Sequence, residues 1–175
     1  SMGRTGLFLL YLPLILPQVA FLPGLQILLL YMGAAQGFWP VLLTHIVFVL
    51  PYMFLALAGP FRAWDTRYAT LGAAMGTGPE GVLWRIRLPM LTAPILTALA
   101  VGMAVSVGQY LPTLLAGGGR LTTLTTEALA LSSGGDRRAI GVWTLSLAVT
   151  AWLPFALALF VPRFVFRKRA GMRNG

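Results

Sequence analysis

The chain contains no cysteine, a single histidine and four carboxylates in 175 residues. Without cysteine there are no disulfides, no thiolate nucleophile and no thiolate metal ligand. The four acids, Asp65, Glu80, Glu127 and Asp136, form no convergent acid–base pair or metal-ligand spacing, so a membrane enzyme ranks last among the readings. Charge of either sign is scarce: 10% of residues, against roughly 25% in an ordinary soluble domain. It is missing altogether from Thr5 to Phe61, from Leu88 to Gly119 and from Ala139 to Pro162. An intramembrane ionisable residue is what a proton relay would need, and within these runs only His45 qualifies.

What fills the chain instead is apolar. Hydrophobic residues make up 58%, the mean hydropathy is +0.82, and the net charge is +9. Uncharged apolar runs longer than about 18 residues mark membrane spans, so this is an integral membrane protein. The basic balance reads as topology signal at span ends, and no nucleic-acid partner is expected. Arg4 ahead of an apolar stretch imitates a signal peptide, but the stretch is long, carries Pro13, Pro17 and Pro23, and has no clear small-residue cleavage site.

The first uncharged run, 57 residues, would be about 85 Å long as one helix and must fold back. The segment Gly33–Pro40 is the natural break, with Tyr31 and Trp39 as interface aromatics. The expected fold is all-α, a polytopic transmembrane helix bundle of about four spans near residues 7–32, 40–60, 89–115 and 139–162. Residues 1–175 then form one transmembrane domain, with a loop at 61–88. Ten Lys and Arg fall on the side holding both termini and that loop, and three (Arg120, Arg137, Arg138) on the other. The positive-inside rule puts both termini and the loop in the cytoplasm. Prolines inside the spans, among them Pro51, Pro94, Pro112 and Pro154, read equally as kinked packing or as broken helices lining a route.

The loop is itself patterned. Asp65 is placed as an N-cap, and Trp64, Tyr68, Leu71 and Met75 make one apolar stripe at helical spacing. Gly76 is placed to end that helix in the left-handed conformation. Thr77-Gly-Pro-Glu80 reads as a capping box opening a second helix that runs to Leu88, where Pro89 starts the third span. Such a helix–Gly–helix element suits either a hairpin lying on membrane lipid, held by Trp64, Trp84, Arg85 and Arg87, or a docking knob for a cytoplasmic partner.

These residues resemble the permease subunits of ABC importers that work with a solute-binding protein. Their cytoplasmic loop carries Glu-Ala-Ala-x3-Gly-x9-Ile-x-Leu-Pro; Gly76, Ile86, Leu88 and Pro89 fit that spacing, and Thr70, Leu71 and Gly72 stand at the acidic-Ala-Ala start. Leu12-Pro-Leu-Ile-Leu-Pro-Gln-Val19, His45 with Pro51, Val107-Gly-Gln-Tyr-Leu-Pro-Thr113 and Leu124–Gly135 look like the molybdate, sulfate, ferric-iron and thiamine branch, and are most similar to thiamine-type permeases. Members carry more spans per unit than the four counted here, so a C-terminal portion of a longer permease is expected.

The resemblance implies a bacterial inner-membrane importer. Two permease units form the pathway, cytoplasmic ABC ATPase subunits take the loop into a cleft, and an extracytoplasmic solute-binding protein delivers cargo. No Gly-rich phosphate loop is present, so ATP hydrolysis would belong to the ATPase and no cofactor or metal is expected of this chain. Thiamine-like, metal and oxyanion cargo all stay open, as does pairing with itself or with another permease. The alternative is a non-transporting membrane anchor or assembly subunit.

Three polar residues inside the spans are candidate pathway groups. His45 reads as a hydrogen-bonded packing histidine ahead of a substrate contact. Gln109 and Tyr110 read as interhelical hydrogen-bonding groups ahead of a gate. Gly102, Ala104, Ser106 and Gly108 alternate along the third span and read as close packing. Thr125, Thr126 and Glu127 suit a short outer helix, and Ser133-Gly-Gly-Asp136 a capping box for the fourth span. The basic tail from Arg163 reads as a topology anchor for anionic headgroups.

Overall fold

A computed structural model describes residues 4–34, 36–134 and 136–165. The tail cations Arg167, Lys168, Arg169 and Arg173 lie outside the described residues. The described chain is helical throughout: α1 (Arg4–Ile15), α2 (Gln18–Tyr31), α3 (Phe38–Arg62), α4 (Arg67–Ala74), α5 (Pro79–Val82), a π-helical turn (Leu83–Arg87), α6 (Leu88–Met90), α7 (Thr92–Val107), α8 (Tyr110–Gly117), α9 (Leu124–Ser132) and α10 (Arg137–Val165). It is an all-α polytopic membrane protein. Two helices, α3 and α10, are long and apolar enough to cross a membrane, and two bent pairs raise the number to four if each pair is one span. At 1.5 Å per residue the 25 residues of α3 reach about 37 Å, more than the hydrocarbon core. Most apolar side chains on α3 and α10 point outward, which water would penalise and lipid does not.

The described residues form two compact units, one from Ser1–Tyr52 with Gly102–Trp152, the other from Met53–Val101 with Leu153–Gly175. In the first, the segment expected as one helix over 7–32 is two helices bent by 119°. Pro17 is the cause. It has no N–H to give the carbonyl of Pro13, and it disfavours helical backbone at Leu16, so α1 ends on the Leu16 N–H to Leu12 carbonyl bond. Pro17 itself is extended (φ −56°, ψ 130°) and α2 starts directly after it. Leu22 and Leu29 of α2, Thr44 and Phe48 of α3, and Pro112, Thr113 and Ala116 of α8 are buried in this unit. Phe21 meets Phe48 edge to face with ring centroids 5.6 Å apart.

The stretch expected as a third span over 89–115 is interrupted at Gly108–Gln109, which separates α7 from α8. Helix α9 opens on a capping box that the sequence reading had not picked out. The Thr123 N–H donates to Thr126 Oγ1 at 2.7 Å, and the Thr126 N–H returns to Thr123 Oγ1 at 3.4 Å. The cap of α10 is Asp136 alone, its Oδ1 taking the N–H groups of Arg138 (3.0 Å) and Ala139 (3.3 Å). Ser133, expected to start that capping box, instead closes the end of α9.

In the second unit, α4 and α5 form a hairpin and the chain from Pro79 to Met90 is almost continuously helical before a 65° bend into α7. Pro89 cannot donate a backbone hydrogen bond. Just before it the helix widens, and the Leu88 N–H reaches back five residues to the Leu83 carbonyl.

Candidate functional site

The loop motif residues are assembled by the α4–α5 hairpin. Asp65 caps it as expected, Oδ1 accepting the Arg67 N–H at 2.8 Å, although regular α4 begins only at Arg67. Gly76 (φ +76°) ends α4 in a Schellman turn: its N–H goes to the Ala73 carbonyl at 3.0 Å, and the Thr77 N–H to the Gly72 carbonyl at 2.9 Å. The Thr77–Glu80 capping box does not form. Gly78 takes the extended cap position with Pro79 behind it, and no side chain caps α5. Thr77 instead lays its methyl over Gly81, where a Cβ would sit 2.6 Å from it.

Gly72 is the buried contact point of the hairpin. A Cβ there would lie 2.8 Å from Val82 Cγ2 and 3.1 Å from Ile86 Cδ1, so only hydrogen fits between the two helices. Because α4 packs through Gly72, the stripe of Tyr68, Leu71 and Met75 faces outward; Leu71 is 60% and Met75 85% exposed. Thr70 is also exposed and turns its hydroxyl back to the Thr66 carbonyl at 3.4 Å. Ile86, Leu88 and Pro89 are half-buried, and the Leu88 carbonyl accepts the Thr92 hydroxyl at 3.1 Å. Arg87, read as a lipid-facing anchor, is folded onto aromatic rings instead. Its guanidinium carbon lies 5.2 Å from the Phe61 centroid and 5.6 Å from that of Trp64.

The pathway candidates separate. His45 Nδ1 is 2.8 Å from Ser106 Oγ, and Nε2 is 2.8 Å from Thr113 Oγ1. Thr113 Oγ1 is also 2.5 Å from the Gln109 carbonyl, which can only accept. The Thr113 proton therefore goes to Gln109, His45 donates from Nε2, and Ser106 donates to Nδ1. This assigns the neutral imidazole with its proton on Nε2. One side chain of α3 thus holds α7 and α8 on both sides of their break. Ser106 and Thr113 were not singled out as polar partners. Their seven-residue spacing puts them on one helical face, a signal that could have found them. Ser106 had been read as a packing residue.

The Gln109 side chain is 4% exposed, and neither Oε1 nor Nε2 has a hydrogen-bond partner among the described residues. It lines a cavity of about 420 Å³ together with Pro13, Gln18, Phe48, Tyr52 and Gly108. Tyr110, the next residue, faces a different cavity of about 410 Å³, beside Thr126, Glu127 and Ser133 of the α9 region. The consecutive pair therefore does not act on one site.

Apolar helices of spanning length, a helix–Gly–helix element between two of them and polar groups at helix breaks define a polytopic membrane protein of the transporter class. The chain belongs to the family of binding-protein-dependent transport system inner membrane components, whose pattern matches residues 3–170. It is 34% identical over 164 residues to the inner membrane ABC transporter permease protein YnjC of Escherichia coli, covering 94% of this chain and 32% of that one. It is 30% identical over 91 residues (52% of this chain, 34% of the relative) to the molybdenum transport system permease protein ModB of Mycobacterium bovis. It is also 23% identical over 99 residues (57% and 38%) to the spermidine/putrescine transport system permease protein PotC of Haemophilus influenzae. The chain spans about a third of the length of these curated relatives. No solved structure matches it.

Proposed function

We propose that this chain is part of the transmembrane subunit of an ABC importer, forming part of a solute pathway and coupling it to a cytoplasmic ATPase. The observation that carries the reading is the 67–87 hairpin in a chain of this family. Gly72 and the Gly76 turn fix its frame, while Tyr68, Leu71 and Met75 project from it without cover. An apolar ridge on a rigid, short-looped hairpin is suited to insertion into a partner's cleft. Thr70, Leu71, Gly72, Gly76, Thr77, Ile86, Leu88 and Pro89 make up this coupling loop: Gly72, Gly76 and Ile86 by packing, Leu71 by contact.

In this reading ATP is hydrolysed by separate ABC ATPase subunits, and a solute-binding protein delivers cargo to the opposite face near α9. A second permease unit completes the pathway. Ten cationic residues against three place both termini and the hairpin in the cytoplasm of a bacterium. The relatives are named for polyamines and for molybdenum, cargoes of opposite charge, so cargo choice lies outside what these chains have in common. The ATPase acts on the pathway only through contacts that differ between its two states.

The test is a single cysteine at Met75, paired with one in the cleft of the ATPase encoded beside the full-length permease. Crosslinking in membranes should change in yield when ATP is added. A folded permease that gives no crosslink from Leu71, Met75 or Thr77 refutes coupling, and the hairpin is then a membrane-surface anchor held by the exposed Trp84 and by Arg85.

A further inference from the structure

The 420 Å³ cavity of the first unit lies where two helix breaks meet, Pro17 between α1 and α2 and Gly108–Gln109 between α7 and α8. Its volume is that of a small-molecule site. Two features that arise separately face it. One is the carboxamide of Gln109, buried and with both its donor and its acceptor unanswered among the described residues. Native interiors almost always satisfy such groups, and an exception calls for a missing partner. The other is the start of the 14-residue α2, which borders the cavity at Gln18. The Pro17 carbonyl takes the N–H groups of Ala20 (2.9 Å) and Phe21 (3.1 Å). The N–H groups of Gln18 and Val19 have no carbonyl within their helix, and Pro17 has no side-chain group to cap them. The partial positive charge of that helix end is therefore uncapped.

The walls are otherwise apolar or neutral, including Leu14, Phe48, Tyr52 and Val105, with no carboxylate to balance a cation. We propose that this cavity is a solute subsite that holds a small group rich in hydrogen-bond acceptors, a carboxylate or carboxamide, between the Gln109 amide and the start of α2, and that it disfavours cations. The subsite rests on the transport reading above and adds to it a ligand chemistry and a location. Broken helices whose N-termini meet polar solute groups are the membrane counterpart of anion sites at helix ends.

The test uses the full-length permease, cysteine-free apart from Ala104→Cys on the cavity wall, in membrane vesicles. The probes are the anionic sulfonatoethyl and the cationic trimethylammonioethyl methanethiosulfonates, each rate divided by that for free cysteine. The ratio of the two cancels the thiol's own ionisation. A half-unit positive charge within a few ångströms predicts a preference for the anionic reagent of roughly tenfold. Sodium formate and acetamide should slow labelling, methylammonium should not, and Gln109→Leu or the closer-shaped Gln109→Met should abolish the protection.

Labelling only by membrane-permeant N-ethylmaleimide would mean that lipid or another protein segment fills the space, and would overturn the proposal. So would a preference for the cationic reagent, or protection that survives loss of the Gln109 amide. None of these readouts involves the ATPase, so failure of the coupling reading at Met75 and failure of the subsite are distinguishable.

Discussion

Gly72→Ala sets two opposing effects against each other. Alanine at a helical position gains about 1 kcal/mol over glycine from propensity alone. At Gly72 the new methyl would lie 2.8 Å from Val82 Cγ2 and 3.1 Å from Ile86 Cδ1. Comfortable carbon contacts are about 3.5–4.0 Å, so the nearer one is short by roughly 0.7 Å. Val82 cannot easily yield, because a β-branched side chain on a helix has one strongly preferred χ1. Overpacking of this kind costs about 1–3 kcal/mol, which exceeds the propensity gain. The hairpin should open more readily by about 1 kcal/mol, a factor of roughly five.

The reporter is the Thr77 amide, whose hydrogen bond to the Gly72 carbonyl closes the turn. In the full-length permease, peptide-resolved hydrogen exchange over 70–88 should be about fivefold faster for Gly72→Ala than for the parent. Adding Val82→Ala makes room for the methyl and should bring the rate back to within about twofold. Slower exchange in Gly72→Ala alone would refute the reasoning. Propensity would then have won, and α4 would not be held against α5 through that residue.

Gly76→Ala forces a Cβ into the left-handed region at φ +76° and should cost about 1–2 kcal/mol, read as loss of protection at the Gly76 and Thr77 amides. Gly78→Ala, at φ −65° and ψ 169°, is the control and should leave those amides unchanged. His45→Leu removes two interhelical hydrogen bonds of about 0.6 kcal/mol each, lowering stability in detergent by about 1 kcal/mol. Double-mutant cycles with Ser106→Ala and with Thr113→Val should each show coupling, and additive stabilities would show that the imidazole does not bridge the helix break.

Much of this chain is set by local chemistry and is therefore legible in its sequence. The uncharged runs decide the all-α membrane class, because a lipid-facing backbone must satisfy its own hydrogen bonds. Asp65, Gly76 and Pro79 mark the hairpin, because capping, a positive φ and a fixed φ each depend on a single residue type. The motif spacing from Gly76 to Pro89 pointed to the family for the same reason.

The sequence reading failed where two segments compete. Thr77 and Glu80 have the letters of a capping box, but Gly78 occupies the cap position and Thr77 is committed to the Schellman turn and to packing on Gly81. Which of several prolines breaks a helix was also undecided: Pro13 and Pro154 lie inside helices, while Pro17 splits α1 from α2.

Tertiary structure alone decided which way residues face and what they meet. The stripe at Tyr68, Leu71 and Met75 was visible as periodicity, but periodicity does not say whether a face packs inward. Burial of Gly72 turned it outward. His45 and Gln109 looked alike as lone polar groups in apolar runs. Residues 61 and 68 positions away satisfy the first, whereas the second keeps an amide with no partner among the described residues. A sequence lists donors and acceptors, and only the packed chain pairs them.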